Sequence, residues 1–293
     1  MRVFVLGNGH RPGVAEEAER LLPFLREHSD VVVFDLWRER NLSGETADIA
    51  LVLGGDGAIL RAARQMGYHQ TPVLGVNLGK LGFLADLSPD EIRSLWPRVL
   101  RSEYRVTHHL MFECVVDNPA GSHIYLGLND VTVHAGPPFH LIELDLMVNG
   151  DVVATVSGDG LIISTPIGST AHNLSAVGPI LGQELDAFAL TPLSPHTLTS
   201  RPVVDSADNV YTVNPRRVSA GTTLVIDGQD NIPLTPQHRV TVRRAPVQFG
   251  LVKVPGHNYY QTLRDKLRWG TAPSYRGEPA STPGRSEGQV SPP

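Results

Sequence analysis

Residues 48–60 read DIALVLGGDGAIL. An aliphatic run ends in two glycines, an aspartate and a third glycine, and AILRAARQM (58–66) follows at helical spacing. Strand, loop and helix in that order form the unit from which parallel sheets are built. In open α/β sheets such loops lie at the carboxyl edge, where ligands bind. Glycine removes the side chains that would keep a phosphate from the backbone N–H groups, and the next helix adds its positive N-terminal end. Gly54, Gly55 and Gly57 therefore read as a phosphate loop. Asp56 is out of place in a bare anion site. A carboxylate there repels phosphate unless it holds Mg²⁺ or accepts a hydrogen bond from a hydroxyl about to be phosphorylated. The plainer alternative is that Asp56 caps the helix and the glycines only make a tight turn.

The same alternation extends to both sides. VFVL (3–6), VVVF (31–34), IALVL (49–53) and PVLGV (72–76) read as strands buried on both faces. VAEEAERLLPFLREH places Val14, Ala18, Leu21, Leu22 and Leu25 on one helical face, with Pro23 expected to kink or split the helix. LSPDEIRSLWPRVL (87–100) opens with Ser88 as N-cap, Pro89 next and Glu91 closing a capping box. GVNLGKLG (75–82) lacks the spacing of a P-loop, and GNGHRPG (7–13) misses the dinucleotide fingerprint by one residue. The latter is either a ligand-facing loop or a plain turn.

After about residue 103 the pattern changes. YRVTHHLMFECVVD, HIYLGLNDVTVHAG, HLIELDLMVNG, DVVATVSGDGLIIS, TTLVIDGQDNIPL and HRVTVRRAPVQFGLVKV each read as strand, and VNGDV is a hairpin signal. HNYYQTLRDKLRW (257–269) returns to helical spacing, and the Pro-, Gly- and Ser-rich end is too polar to order itself. The expected organisation is an α/β domain with a Rossmann-like parallel sheet (1–103), a β-rich domain (104–255), a helix (256–270) and a disordered tail (271–293).

Composition narrows the function classes. The 293 residues are 41% hydrophobic, enough for a real core, and the net charge of −5 argues against a general nucleic-acid or membrane-surface binder. The one cysteine, Cys114, excludes an internal disulfide framework and reads as a small buried hydrophobe. No apolar run approaches the roughly 18 residues of a membrane span, and MRVFVLGNG lacks the features of a signal peptide. A cytoplasmic protein is the expectation. His108, His109, His123, His134 and His196 show no metal-ligand spacing and read as surface or hydrogen-bonded structural residues. RVTVRRAPV (239–247) reads as a sheet edge with outward arginines, with a donor-phosphate role as the alternative.

A further loop, STPIGSTA (164–171), follows the strand LIIS, and its hydroxyls and N–H groups suit a polar ligand. With it the chain resembles the NAD kinases. The resemblance is carried, in order, by GGDGAIL (54–60), GVNLGKLGFL (75–84), LNDVTVH (128–134), DGLIISTPIGSTAHNLSAVGPI (159–180), SPHTLTSRPVV (194–204), DGQ (227–229) and LRDKLRW (263–269). These blocks span most of residues 49–269.

The resemblance implies phosphoryl transfer to the 2′-hydroxyl of the adenosine ribose of NAD. The donor is ATP or polyphosphate, with a divalent metal, usually Mg²⁺. It implies an α/β domain followed by a β-rich sandwich, a last helix returning to the first domain, and a homodimer or homotetramer. Asp56 matches the catalytic aspartate, with Gly57 beside it at the NAD. Asn129 and Asp130 match the pair that binds the adenosine part, and Asp159 an aspartate near the nicotinamide amide. Thr170, Ala171, His172, Asn173, Leu174 and Ser175 match the adenine- and amide-contacting segment. Gln229 matches the glutamine of DGQ, and His140 a position where relatives often carry a basic residue. No metal ligand is assigned. Three residues depart from the family pattern: Ala58 for Thr, Ile167 for Thr and His172 for Tyr. Two rival readings are a lipid kinase sharing the GGDG loop and a non-catalytic NAD sensor.

Overall fold

A computed structural model describes residues 1–42, 44–79, 82–85, 87–254 and 259–268. The strands of the first third are β1 (Arg2–Gly7), β2 (Asp30–Asp35), β3 (Ile49–Leu53) and β4 (Val73–Val76), parallel and in the order β2-β1-β3-β4. The inner three are buried on both faces, as expected. β2 is the exception: it is the edge strand, and Phe34 is exposed.

Successive residues of β1 point to opposite faces. Val3 and Val5 pack with α1 (Val14–His28) and α3 (Pro89–Leu100), through Leu21, Leu25, Ile92 and Trp96. Phe4 and Leu6 pack with α2 (Asp56–Met66), through Ile59 and Ala63. α1 runs unbroken through Pro23. Pro23 and Glu19 are both exposed, so the carbonyl that loses its helical partner is open to water. The capping box of α3 forms as expected: Ser88 Oγ accepts from the Glu91 N–H (3.3 Å), and Glu91 Oε2 accepts from the Ser88 N–H (2.7 Å).

The rest of the first compact unit is almost all strand. In chain order it holds β5 (Arg105–Asn118), β6 (Gly121–Gly127), β7 (Asp130–His134), β8 (Ile142–Val148), β9 (Asp151–Gly158) and β10 (Gly160–Ser164). A short helix α4 (His172–Ser175) precedes β11 (Ala187–Leu193), β12 (Val203–Ser206), β13 (Tyr211–Arg217), β14 (Thr223–Ile226), β15 (Asp230–Pro233) and β16 (Arg239–Lys253). A ten-stranded sheet continues from β4 through β16, β13, β8 and β9, with β5 and β6 branching from β16. The second sheet runs β12-β11-β10-β7-β14-β15. Apolar residues of both sheets, among them Phe112, Leu144, Val242, Val133 and Leu161, fill one core between them, which is the expected sandwich.

Four readings need correction. HIYLGLNDVTVHAG breaks between β6 and β7, and DVVATVSGDGLIIS breaks between β9 and β10; each break sends the chain into the other sheet. β16 is not an edge. It lies between β5 and β13 in its first half and reaches β4 at Leu251–Val73, with a register shift between Arg244 and Gln248. Two of its three arginines make ion pairs, Arg243 with Glu113 (2.7 Å) and Arg244 with Asp186 (2.6 Å). Finally, β11, β12 and β13 have no counterpart among the expected strands.

The VNGDV hairpin is present, with Asn149 (φ 52°) and Gly150 (φ 95°) making the turn between β8 and β9. Residues 1–257 form one compact unit and 258–293 a second, in which α5 (Tyr259–Leu267) is described. The flanking positions 256–258, 269 and 270 and the tail 271–293 lie outside the described residues. Among the described residues no helix is long and apolar enough to cross a membrane.

Candidate active site

The glycine loop joins β3 to α2 at the carboxyl edge of the parallel strands. Gly54 takes φ +129°, a conformation that L side chains rarely adopt, and its N–H donates to the Val76 carbonyl (2.8 Å). Asp56 opens α2, but its side chain does not cap the helix. The carboxylate instead accepts three backbone N–H groups from the next loop: Phe83 on Oδ2 (2.9 Å), and Leu84 (2.9 Å) and Ala85 (3.1 Å) on Oδ1. The capping alternative is thereby overturned. A carboxylate has about four acceptor positions, so among the described residues one is left open, on Oδ2. Lys80 and Leu81 of the same loop lie outside the described residues.

The turn that carries Asn129 and Asp130 is built around a residue that sequence reasoning missed. Asp227, buried at the end of β14, accepts the N–H of Leu128 (2.9 Å) on Oδ2 and those of Asn129 (2.7 Å) and Asp130 (3.2 Å) on Oδ1. Burial raises its carboxyl above the usual range, against the pull of those three N–H groups and of Arg64. Its signal in the sequence was the D of DGQ, of which only Gln229 was singled out. Gln229 and Asp230 follow in the same turn, and Asp230 pairs with Arg64 of α2. The helix that carries Asp56 is thus tied to the turn that carries Gln229.

Asn129 and Asp130 stand where the chain enters β7. The side-chain oxygen of Asn129 is buried with no hydrogen-bond partner among the described residues. Asp130 accepts from the Thr132 hydroxyl (3.2 Å), and burial together with the charge of Asp227 pushes its carboxyl up to about 7. The folded chain therefore holds a proton that the unfolded chain has released, and this group's contribution to stability is lost as pH rises from about 4 to about 7. Asp130→Asn removes that titration. Its melting temperature relative to the wild type is expected to improve from pH 5 to pH 8, and a pH-independent difference would contradict the assignment.

The STPIGSTA loop packs directly on this turn. Thr165 donates its N–H to the Asn129 carbonyl (2.9 Å) and its hydroxyl to the Leu128 carbonyl (2.5 Å). A side chain at Gly168 would overlap the Asn129 carbonyl oxygen. Ile167, one departure from the family pattern, is buried in the same apolar cluster as Ile59 and Leu60 of α2, and Ala58 lies there too. The two halves of the site therefore meet through core residues as well as through Arg64.

The expected contact segment divides. The Asn173 side chain is occupied within the protein: Oδ1 accepts from the Thr191 hydroxyl (2.6 Å) and Nδ2 donates to the Pro179 (2.9 Å) and Ser169 (3.3 Å) carbonyls. Thr170 donates to the Ile167 carbonyl (3.1 Å). Ala171 and Leu174 are half-buried, and Ser175 is exposed. His172 is exposed and stacks on His134, with centroids 5.0 Å apart and planes 17° apart. Partial loss of hydration lowers the pKa of both imidazoles, and for His134 the neighbouring His172 lowers it further. Asp159 is exposed beside Gly160, the cross-strand partner of His134, at the opposite end of β7 from Asp130. The candidate residues thus line β7 over about 13 Å. His140 is exposed in the loop before β8, and among the described residues no hydrogen bond, ion pair or ring contact joins its side chain to the others. His109 is structural as expected, with both ring nitrogens bonded, to Thr107 and to the Gln183 carbonyl. Cys114 is buried, and burial raises its thiol pKa.

The family model for the ATP-NAD kinase N-terminal domain matches residues 12–104, and that for the C-terminal domain matches residues 128–254. The NAD kinase of Rhodopirellula baltica is 43% identical over 269 residues, covering 92% of this chain and 86% of that protein. The chain belongs to the NAD kinase family. The NAD kinase of Pseudomonas putida strain W619 is 37% identical over 284 residues, covering 91% of this chain and 95% of that protein. Among solved structures, an NAD kinase from Archaeoglobus fulgidus in complex with ATP superposes with a TM-score of 0.74 at 25% identity, covering 92% of this chain and 99% of that one. Yeast NADH kinase complexed with NADH shares the fold, with a TM-score of 0.81 at 22% identity over 93% of this chain and 89% of that one. Membership makes this chain a phosphotransferase.

Proposed function

We propose that this NAD kinase transfers a phosphoryl group from ATP or polyphosphate to the 2′-hydroxyl of the adenosine ribose of NAD, giving NADP. The observation that carries the reading is Asp56, held by three backbone N–H groups beside the glycine loop with one acceptor position open. That position accepts the hydrogen bond of the attacking hydroxyl and takes its proton. Asn129 supplies an unpartnered acceptor for the adenosine part, and Asp130, poised near neutrality, can donate or accept there. In this reading His172 offers its ring to the adenine, Asp159 binds the amide end, and Thr170, Ala171, Leu174, Ser175, Gln229 and His140 complete the NAD contacts. Gly54, Gly55 and Gly57 cradle the donor phosphates. The Asn173 side chain is kept for bracing the loop, and its share of NAD binding is through its backbone.

Among the described residues no group of three or more His, Cys, Asp or Glu side chains could hold a metal ion. Mg²⁺ is commonly held by one or two carboxylates and substrate phosphates. The open position of Asp56 is given to the hydroxyl, so no side chain is assigned to the metal, which, bound to the substrate phosphates, would supply charge neutralisation there. A cytoplasmic location and a homodimer or homotetramer belong to the same proposal, as does a division into domains at residue 103. Neither the sensor nor the lipid-kinase alternative gains support from the relatives. The test is an incubation of the protein with Mg²⁺, NAD and either ATP or polyphosphate, with NADP read by an NADP-specific dehydrogenase. NADP is expected with at least one donor. NAD binding without NADP would sink the kinase reading.

A further inference from the structure

In the parallel strands the order β2-β1-β3-β4 means that the chain moves one way from β1 to β2 and the other way to β3. The crevice outside the carboxyl ends of β1 and β3 is the switch point at which such sheets hold ligands. One lip is the glycine loop. The other begins at Gly7, which pairs in register with Leu53, the residue before Gly54.

That second lip carries an aromatic surface. The Trp37 indole lies against Gly9, where an added Cβ would come within 2.6–2.7 Å of three ring atoms. His10 stands edge-on to the indole, with centroids 4.9 Å apart and planes at 74°. Trp37 is nonetheless 45% exposed, so ring area is left over. Between the two glycines, Asn8 keeps its side-chain oxygen buried with no hydrogen-bond partner among the described residues. Buried polar atoms are rarely left so, and a hydroxyl or amino group of a ligand would satisfy it.

The loop bearing Trp37 is held in place. Asp35 at the end of β2 accepts the N–H groups of Trp37 (2.9 Å), Arg38 (2.8 Å), Glu39 (3.3 Å) and Arg40 (2.9 Å). Gln65 donates to Asp35 (2.7 Å) and to the Arg40 carbonyl (3.0 Å). Gln65 belongs to α2, so the aromatic surface is fastened to the helix that begins in the glycine loop. Arg38 takes a left-handed backbone (φ 64°) and makes no ion pair among the described residues. It also lies close enough to Arg64 for their charges to oppose, which an anion would relieve.

We propose that Trp37 and His10 form a stacking ledge for the base of a nucleoside triphosphate donor, with Asn8 binding its sugar or base and Arg38 its phosphates. The ledge makes this chain favour a nucleotide over a bare polyphosphate, which has nothing to stack. The inference rests on the proposed kinase reading for the identity of the donor.

The experiment compares wild type, Trp37→Ala and Trp37→Phe. Base–aromatic stacking is large enough that Trp37→Ala is expected to raise KM for ATP about tenfold. KM for NAD should stay within about twofold, and Trp37→Phe should recover most of the loss. Tripolyphosphate, used as a competitor of ATP, should show the same inhibition constant in wild type and Trp37→Ala. An unchanged KM for ATP, or KM values for ATP and NAD rising together, would overturn the ledge. If the wild type makes no NADP, the kinase reading fails on its own. The ledge is still read by tryptophan fluorescence, quenched by ATP and not by tripolyphosphate, with the quench lost in Trp37→Ala.

Discussion

Asp56→Asn is expected to lower kcat about 10³-fold, the scale of a lost general base, while NAD affinity stays within about tenfold. The carboxylate lies within the GGDG turn, keeps one acceptor position open among the described residues, and is tied down by Phe83, Leu84 and Ala85. The amide oxygen of asparagine can still accept from Leu84 and Ala85. Its NH₂ group, however, would face the Phe83 N–H, donor against donor. The substitution therefore has two separable effects. Loss of the proton acceptor shows in kcat alone. Loosening of the 83–85 loop shows as a lower melting temperature and a weaker NAD affinity, measured by calorimetry. A variant with near-normal kcat would remove Asp56 from the chemistry, and a parallel fall in kcat and affinity would make it a positioning residue.

Asp227→Ala is expected to be the most damaging substitution to the acceptor side. It leaves the N–H groups of Leu128, Asn129 and Asp130 in a closed interior without their acceptor. Each unsatisfied buried donor costs about 1–3 kcal/mol, so a loss of about 3 kcal/mol or more is expected in urea unfolding. The same turn presents the Asn129 and Asp130 side chains, so KM for NAD should rise steeply. Asp227→Asn keeps one acceptor oxygen and should fall between the two. An unfolding midpoint close to that of the wild type for Asp227→Ala would show that the turn holds itself without the carboxylate.

Much of the α/β part, and one hairpin of the β-rich part, was legible because the signals are local. The capping box at Ser88–Glu91 needs only residues three apart, the hairpin at Asn149–Gly150 only two left-handed positions, and the buried run of β3 only its own five residues. The GGDG loop is a local event as well, and its strand–loop–helix reading holds, with Asp56 opening α2 directly after β3 in a chain that the family models match over most of its length. The β-rich part was less legible. Periodicity reports that a residue is buried and not which sheet buries it. The stretches through Leu128–Asn129 and Asp159 therefore read as continuous strand although they change sheets.

Within the site, the sequence by itself determined which residue types are present, the glycine cradle with one carboxylate, and the order of the blocks that mark the family. The tertiary structure alone decided what those residues are bonded to. Asp56 is held from a loop 27–29 residues away, and Asp227 reaches backbone groups 97–99 residues back. His134 gained His172 as its stacking partner, and Trp37 came to rest on Gly9 beside the switch point. Such pairings arise from strand order and register, which bring distant segments together through packing of both sheet faces. No window along the chain contains that information.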